Sequence, residues 1–194
     1  SKKDLINKIK NDAPFNESGL ANSFIRPNNP KLLSDAEKVV NKFQGPNAFA
    51  PMKERMASEW LRGALKNSLD SNNGKWSGAK FKKKVDDLGS TANALFGNKA
   101  GEIKKLVDQM DALSLRNVDE SVIAKFANAG ADDAAVGLLR NLSDELNQLS
   151  VFTQNQVMKK LSKGQLTPTE AAEYLASGSV RAEDVKALRS YFAN

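Results

Sequence analysis

Apolar residues recur at spacings of three and four positions along almost the whole of this 194-residue chain. Such spacing places them on one face of an α-helix, whereas a strand buried on one face would show strict alternation. The sequence contains no sustained alternation of that kind. The pattern therefore predicts an all-α fold, a multi-helix bundle of short and medium helices whose apolar faces meet in a core.

Start and stop signals divide the chain into three parts. Residues 1–33 hold three of the six prolines, and these interrupt regular structure, so we expect an extended arm that lies on the body of the protein. Residues 34–150 carry the longest helical patterns and are predicted to form a helical core domain. Residues 151–194 are predicted to form a separate subdomain, a run of short helix-turn-helix units.

Several helix boundaries in the core domain are marked by their end residues. Ser34 and Glu37 have the spacing of a capping box and predict a helix start at Ser34. Pro51 predicts the start of a longer helix, because proline is favoured at the first helical position. We expect two or three further helices between Ser77 and Leu113.

A heptad-like spacing marks the last helix of the core domain. Its apolar residues step by four, three, four and three positions, through Ala135, Leu139, Leu142, Leu146 and Leu149. A coiled coil normally needs three to four heptads, and two are present. We therefore favour a helix buried within one chain over an oligomer seam, which is the alternative.

The last 44 residues contain a weak internal repeat. Short helices are predicted after Val151, Thr167 and Val180, and the first two are expected to end at Gly164 and Gly178. Thr167 is the clearest start, because it combines a capping box with a proline at the next position. The apolar residues predicted to face inward are Val157, Leu161, Ala171, Leu175, Val185 and Leu188.

The sequence contains no histidine and no cysteine. This excludes nucleophiles activated by histidine and zinc sites built from imidazole or thiolate. The loop that begins at Asp70 alternates Asp and Asn like a calcium loop, but Gly74, Lys75 and Phe81 occupy positions that need a ligand, a glycine and a glutamate. We therefore predict no catalytic residue, no metal site, no cofactor and no small-molecule substrate.

Charge is unevenly distributed along the chain. The formal net charge is +6, with +9 on residues 1–105 and −3 on the remaining 89 residues. A basic half of this kind can bind nucleic acid or anionic lipid, and it can also be an ordinary solvated surface.

The densest basic cluster interleaves lysines with aromatic residues. If it binds nucleic acid, its lysines contact phosphates and Trp76 stacks on an unpaired base. In the alternative, which we favour, Trp76 and Phe81 pack in the core and the lysines are solvated. The candidate nucleic-acid-binding residues are Lys75, Trp76, Lys80, Lys82, Lys83 and Lys84.

One stretch of helix-packing residues resembles a helical segment found in large internal virion or DNA-ejection proteins of tailed bacteriophages. It covers residues 56–106, and its most characteristic part is a Leu-Phe-Gly element followed by a helix near Ile103. The residues that carry the resemblance are Met56 to Leu61, Asn73-Gly74, Phe81 to Gly89, Ala94 to Gly97 and Ile103 to Leu106.

This resemblance implies a non-enzymatic structural or interaction module that is packaged in the capsid and leaves with the genome. Its partners would be other virion proteins, the rest of a larger polypeptide, or DNA bound non-specifically, and its location the virion or the host cytoplasm. The sequence shows neither a signal peptide nor a transmembrane segment. The alternative function is a nucleic-acid-binding accessory protein that uses the basic region 75–105. A small enzyme based on Glu54 or Glu59 is a third, weaker hypothesis.

Overall fold

The computed structural model describes residues 23–69, 73–128 and 134–193. These residues are mainly helical, which confirms the predicted all-α, multi-helix fold. In chain order the elements are α1 (Lys31–Gln44), α2 (Phe49–Lys66), α3 (Gly78–Asp87), α4 (Thr91–Phe96), α5 (Ala100–Ala112), β1 (Asn117–Val118), α6 (Glu120–Ala127), α7 (Ala135–Ser162), α8 (Pro168–Ala176), β2 (Ser179–Val180) and α9 (Ala182–Ala193), with a 3-10 turn over Gly97–Lys99 between α4 and α5.

The two short strands pair in parallel, with Val118 opposite Val180. Trp76 adds an antiparallel bridge on the other side of Val118, and Leu69 pairs with Trp76 in turn. Four short segments, from three regions that are distant in sequence, therefore meet side by side. We call this arrangement, formed by residues 68–69, 76–77, 117–118 and 179–180, the backbone junction.

The backbone junction is closed by main-chain hydrogen bonds. Trp76 and Val118 exchange two N–H to carbonyl bonds of 3.1 Å each, and the Asp119 N–H donates to the Val180 carbonyl at 2.9 Å. The side chains of Trp76, Val118 and Val180 are fully buried. Buried main-chain groups need such partners, so the junction allows extended backbone to pass through the interior of a helical protein.

Helix α7 forms the centre of the bundle. Its 28 residues span about 42 Å, and it contacts α2, α5, α6, α8 and α9. Leu139, Leu142 and Leu146 have no exposed surface. The heptad-like spacing therefore belongs to a core helix, as predicted.

The predicted helix start at Val151 is wrong, because α7 continues without a break to Ser162. Thr153 and Val157 extend its buried face beyond the leucines. The predicted boundary between residues 150 and 151 thus lies inside a single helix. Nothing between Leu149 and Val151 removes a backbone hydrogen bond, since neither proline nor glycine is present there.

Two other predicted helix starts are too late. Helix α1 begins at Lys31 and not at Ser34, since the Ser34 N–H already donates to the Pro30 carbonyl at 3.1 Å. Helix α2 begins at Phe49, whose N–H donates to the Asn41 side chain at 3.0 Å. In both cases a buried side chain before the predicted start, Leu33 or Phe49, extends the helix backward.

The described part of the predicted arm lies on the helical body. Phe24 and Ile25 are buried, and the Thr91 hydroxyl accepts a 2.8 Å hydrogen bond from the Asn29 N–H while donating to the Arg26 carbonyl. Residues 31–33 are helical, so the arm is shorter than predicted. Residues 1–22 lie outside the described residues.

The end signals of the C-terminal helices are confirmed. Gly164 and Gly178 follow α7 and α8 with φ values of 71° and 60°, and Thr167 forms a capping box with Glu170. The inward direction predicted for Leu175 is wrong, since 41% of its surface is exposed. The helix stop predicted at Gly130 lies outside the described residues.

Truncating the centre of α7 tests the core. We expect Leu142→Ala to lower the free energy of unfolding by about 2–5 kcal/mol, because it leaves a cavity in a fully buried site. The matched control Leu175→Ala, at an exposed site, should cost about 0.5 kcal/mol or less. Chemical denaturation measures both values. A loss below about 1 kcal/mol for Leu142→Ala would contradict the assigned core.

A second substitution tests the turn that leads into the backbone junction. A Cβ atom at Gly178 would collide with the Ser114 carbonyl oxygen, at a positive φ that disfavours L-residues. We expect Gly178→Ala to lower the free energy of unfolding by more than about 1 kcal/mol. Gly137→Ala, within α7 and in open space, should instead raise it by about 0.5–1 kcal/mol. Equal effects in thermal denaturation would refute this role of Gly178.

Candidate functional site

Helix α3 carries most of the predicted basic cluster. It begins after Ser77, whose hydroxyl accepts a hydrogen bond from the Lys80 N–H at 3.3 Å. Phe81 and Val85 point into the core, as predicted. Because neighbouring residues on a helix point in different directions, the lysines between them lie towards the surface.

Trp76 cannot stack on a base in this structure. None of its surface is exposed, and its ring packs against Phe81 with a centroid separation of 6.1 Å. Its main chain is held in the backbone junction by the two bonds to Val118. Base stacking requires an exposed aromatic face, so Trp76 is removed from the candidate binding residues and placed in the core.

Two lysines of the cluster form ion pairs with carboxylates on the protein surface. Lys82 Nζ lies 2.7 Å from Asp86 Oδ2 and 2.9 Å from Asp108 Oδ1, and Lys83 Nζ lies 2.9 Å from Asp87 Oδ2. These hydrogen bonds raise the pKa values of both lysines. A phosphate would have to compete with carboxylates already in place.

Lys75 is paired with a carboxylate that also begins a helix. Its Nζ lies 3.4 Å from Asp119 Oδ2, while Asp119 Oδ1 accepts a hydrogen bond from the Ser121 N–H at the start of α6. Burial opposes ionisation of Asp119, but the hydrogen bonds from Ser121 and the charge of Lys75 hold its pKa below the usual range. Lys75 thus helps to join α6 to the segment that carries Trp76.

The remaining two lysines have no carboxylate partner among the described residues. Lys80 Nζ donates to the Leu69 carbonyl at 3.3 Å, and Lys84 lies one helical turn further along α3. The six predicted residues therefore do not form one binding surface. One is buried, three are neutralised by ion pairs, and Lys80 and Lys84 on α3 have no acidic partner within the part of the chain that the structure describes.

The carboxylates considered for catalysis have structural partners. Glu54 pairs with Lys99 at 3.6 Å, and Glu59 pairs with Arg62 at 3.4 Å. Across residues 23–69, 73–128 and 134–193, no group of three or more acidic residues is arranged to hold a metal ion. In the same ranges no helix has the length and apolar character that crossing a membrane requires.

A set of exposed apolar side chains in the last third of the chain was not predicted from the sequence. Val151 and Met158 are seven positions apart and therefore share a face of α7, away from its buried leucines. Tyr191 and Phe192 touch edge to face, with ring centroids 5.5 Å apart. We call these residues and Leu175 the exposed apolar set; the exposed fractions are 50% for Val151, 55% for Met158, 41% for Leu175, 72% for Tyr191 and 65% for Phe192.

A sequence signal for part of this set exists. Val151 and Met158 fall outside the spacing that connects Leu139, Leu142, Leu146 and Leu149, so the periodicity itself places them on a different face. The predicted break at Val151 concealed this signal, because it assigned the two residues to a separate short helix.

The ion pairs lead to a prediction about nucleic-acid binding. At physiological salt we expect a dissociation constant no tighter than about 10⁻⁶ M, because most of the cluster is already neutralised. Changing Lys80, Lys82, Lys83 and Lys84 to Gln should alter this affinity no more than a control that changes four exposed lysines on α1 and α2. Fluorescence anisotropy with labelled DNA measures the affinities, and the control lysines are Lys31, Lys38, Lys42 and Lys66. Submicromolar binding lost only in the first variant would contradict this expectation.

Comparison with protein-family models, with curated proteins and with solved structures gives no match for this chain. The resemblance of residues 56–106 to phage virion proteins therefore stays a prediction. The function has to be argued from the geometry of the described residues.

Proposed function

We propose that this chain is a non-enzymatic helical interaction module of a tailed-phage virion protein, internal or ejected. Its partners would be other virion proteins or the rest of a larger polypeptide. The observation that carries this proposal is the exposed apolar set in the last third of the chain.

The exposed apolar set lies beside a well-filled core, which makes its exposure informative. Leu139, Leu142 and Leu146 on the opposite face of α7 are fully buried. The core-facing side of this helix is therefore already covered by other parts of the same chain. Tyr191 and Phe192 remain exposed on the last helix. Aromatic residues are enriched in protein–protein interfaces, so this exposed aromatic pair marks a candidate contact surface.

The polar groups support a role in binding more than a role in chemistry. Glu54, Glu59 and Asp119 each have a cationic partner within the chain. A general acid or base needs a group placed to exchange a proton with a substrate, and these pairs instead connect neighbouring elements.

The virion context rests on the resemblance of residues 56–106. In the structure these residues run from α2 to α5, and Leu61, Phe81 and Ile103 among them are buried. Residues that carry the resemblance therefore pack in the core, which agrees with a structural role. The residues proposed for partner contact lie outside it.

The test is to detect the chain in particles of the phage that encodes it. With a specific antibody, we expect the protein in purified capsids, protected from protease until the capsids are opened, and depleted after genome ejection. Absence from purified particles would refute the virion role.

The role of the exposed apolar set in partner contact can be tested in the same particles. We expect the double change Tyr191→Ser and Phe192→Ser to reduce incorporation several-fold without altering the helical circular dichroism spectrum. The control Phe43→Ser removes an aromatic side chain that is 51% exposed on α1, outside the set, and should leave incorporation unchanged. If both variants are incorporated normally, the exposed apolar set is not the contact surface.

A further inference from the structure

Asn73 is the only asparagine in this sequence that is followed by a glycine. In an Asn-Gly pair the main-chain nitrogen of the glycine can attack the side-chain amide of the asparagine, because glycine has no side chain to hinder the approach. Both residues are exposed, so water reaches the pair. The loop that precedes α3 therefore holds a candidate site for spontaneous deamidation, the conversion of an asparagine amide to a carboxylate.

The nitrogen of Gly74 is available for this attack. Its N–H donates no hydrogen bond within the part of the chain that the structure describes. Gly74 has a φ of 67°, and a Cβ atom at this position would have no neighbour within 4 Å. The surroundings of the attacking residue are thus open, and no acceptor holds its proton.

The amide carbonyl of Asn73 is polarised by a main-chain donor. Asn73 Oδ1 accepts a 2.8 Å hydrogen bond from the Lys75 N–H. Negative charge develops on this oxygen when a nitrogen adds to the amide carbon, and a donor already directed at the oxygen stabilises that charge. The same bond fixes which end of the amide is the oxygen, since a main-chain N–H can only donate.

The amide nitrogen of Asn73 belongs to a series of hydrogen bonds between distant segments. It donates to Asn117 Oδ1, and Asn117 Nδ2 donates to the Ser177 carbonyl at 2.9 Å. Asn117 lies in β1, and Ser177 directly follows α8. We call the two side-chain amides and the Ser177 carbonyl the amide relay. It joins the loop before α3 to two strands' ends at the backbone junction.

The amide relay cannot hold a carboxylate in place of the Asn73 amide. A carboxylate only accepts hydrogen bonds, so Asn117 Oδ1 would face another acceptor. If the Asn117 amide turned round to donate to the carboxylate, its oxygen would face the Ser177 carbonyl instead. One bond of the relay is therefore lost in either orientation.

We propose that Asn73 is a site of spontaneous deamidation, and that its conversion breaks the amide relay. The Gly74 nitrogen loses its proton and forms a bond to Asn73 Cγ, the Cγ–Nδ2 bond breaks, and Nδ2 leaves as ammonia. Water then opens the succinimide ring at either carbonyl, which gives aspartate or isoaspartate with one added negative charge. The reaction needs only water and involves no oxidation. It does not depend on the proposed virion role, and neither test decides the other.

The first experiment follows the reaction by mass spectrometry. The purified protein is kept in warm, mildly alkaline buffer, because the attacking nitrogen reacts in its deprotonated form. The tryptic peptide 67–75 is then compared with one from a sample digested at the start. We expect a mass increase of about 1 Da at Asn73, as aspartate and isoaspartate, before Asn67 in the same peptide reacts. An Asn73 that stays unchanged, or reacts no faster than Asn67, would overturn the proposal.

Two glycine variants test the identity of the attacking group. Gly74→Ala should slow the reaction of Asn73 several-fold, because a methyl group hinders the approach of the nitrogen. Gly164→Ala makes the same change at a φ of 71°, also in open surroundings, and should leave the rate unchanged. Equal rates in the two variants would show that the Gly74 nitrogen is not the attacking group.

The effect on the amide relay is tested with Asn73→Asp. We expect it to lower the melting temperature by about 2–4 °C, as suits the loss of one hydrogen bond in a protein of this size. Asn98→Asp, the same charge change at an exposed asparagine outside the relay, should not lower it.

A double-mutant cycle connects this loss to Asn117. In a protein that already carries Asn117→Ala, the relay is broken, so Asn73→Asp should have little further effect on the melting temperature. No effect of Asn73→Asp in the parent protein, or an equal effect in both backgrounds, would show that deamidation does not act through the relay.

Discussion

The backbone junction around Trp76 is the constraint on which the rest of this fold depends. It holds residues 68–69, 76–77, 117–118 and 179–180 side by side through main-chain hydrogen bonds. It joins the segment between α2 and α3 to the segments that follow α5 and α8, and these main-chain bonds define a register that side-chain contacts alone would not. The Trp76 ring fills the interior beside the junction, and Gly178 permits the close approach of the chain to Ser114.

Ion pairs join the basic and the acidic parts of the chain. Two lysines of residues 1–105 pair with carboxylates of the acidic remainder, as Lys75–Asp119 and Lys82–Asp108. Exposed pairs of this kind contribute little to stability. Their main consequence is for function, because they use part of the positive charge that would otherwise attract nucleic acid.

The last third of the chain combines two features that a packed bundle does not need. Val151, Met158 and the aromatic pair of α9 remain exposed, and a cavity opens beside Tyr174 between α7, α8 and the start of α9. Both features arise where the short helices α8 and α9 pack on α7. Because two short helices cannot cover a long one completely, this region retains surface for other molecules, and we place the proposed partner contact there.

The sequence by itself determined the helical class, the buried leucines of α7, and the helix ends at Thr167, Gly164 and Gly178. Each of these depends on residues within one or two helical turns. Only the tertiary structure decided the burial of Trp76 beside Val118, the ion pairs of Lys75 and Lys82 with Asp119 and Asp108, and the exposure of Leu175. Those outcomes depend on groups that are distant in sequence, and two-residue strands are too short to leave a periodic signal. Local spacing therefore predicts which segments are helical, while packing between distant segments decides which side chains remain available to bind.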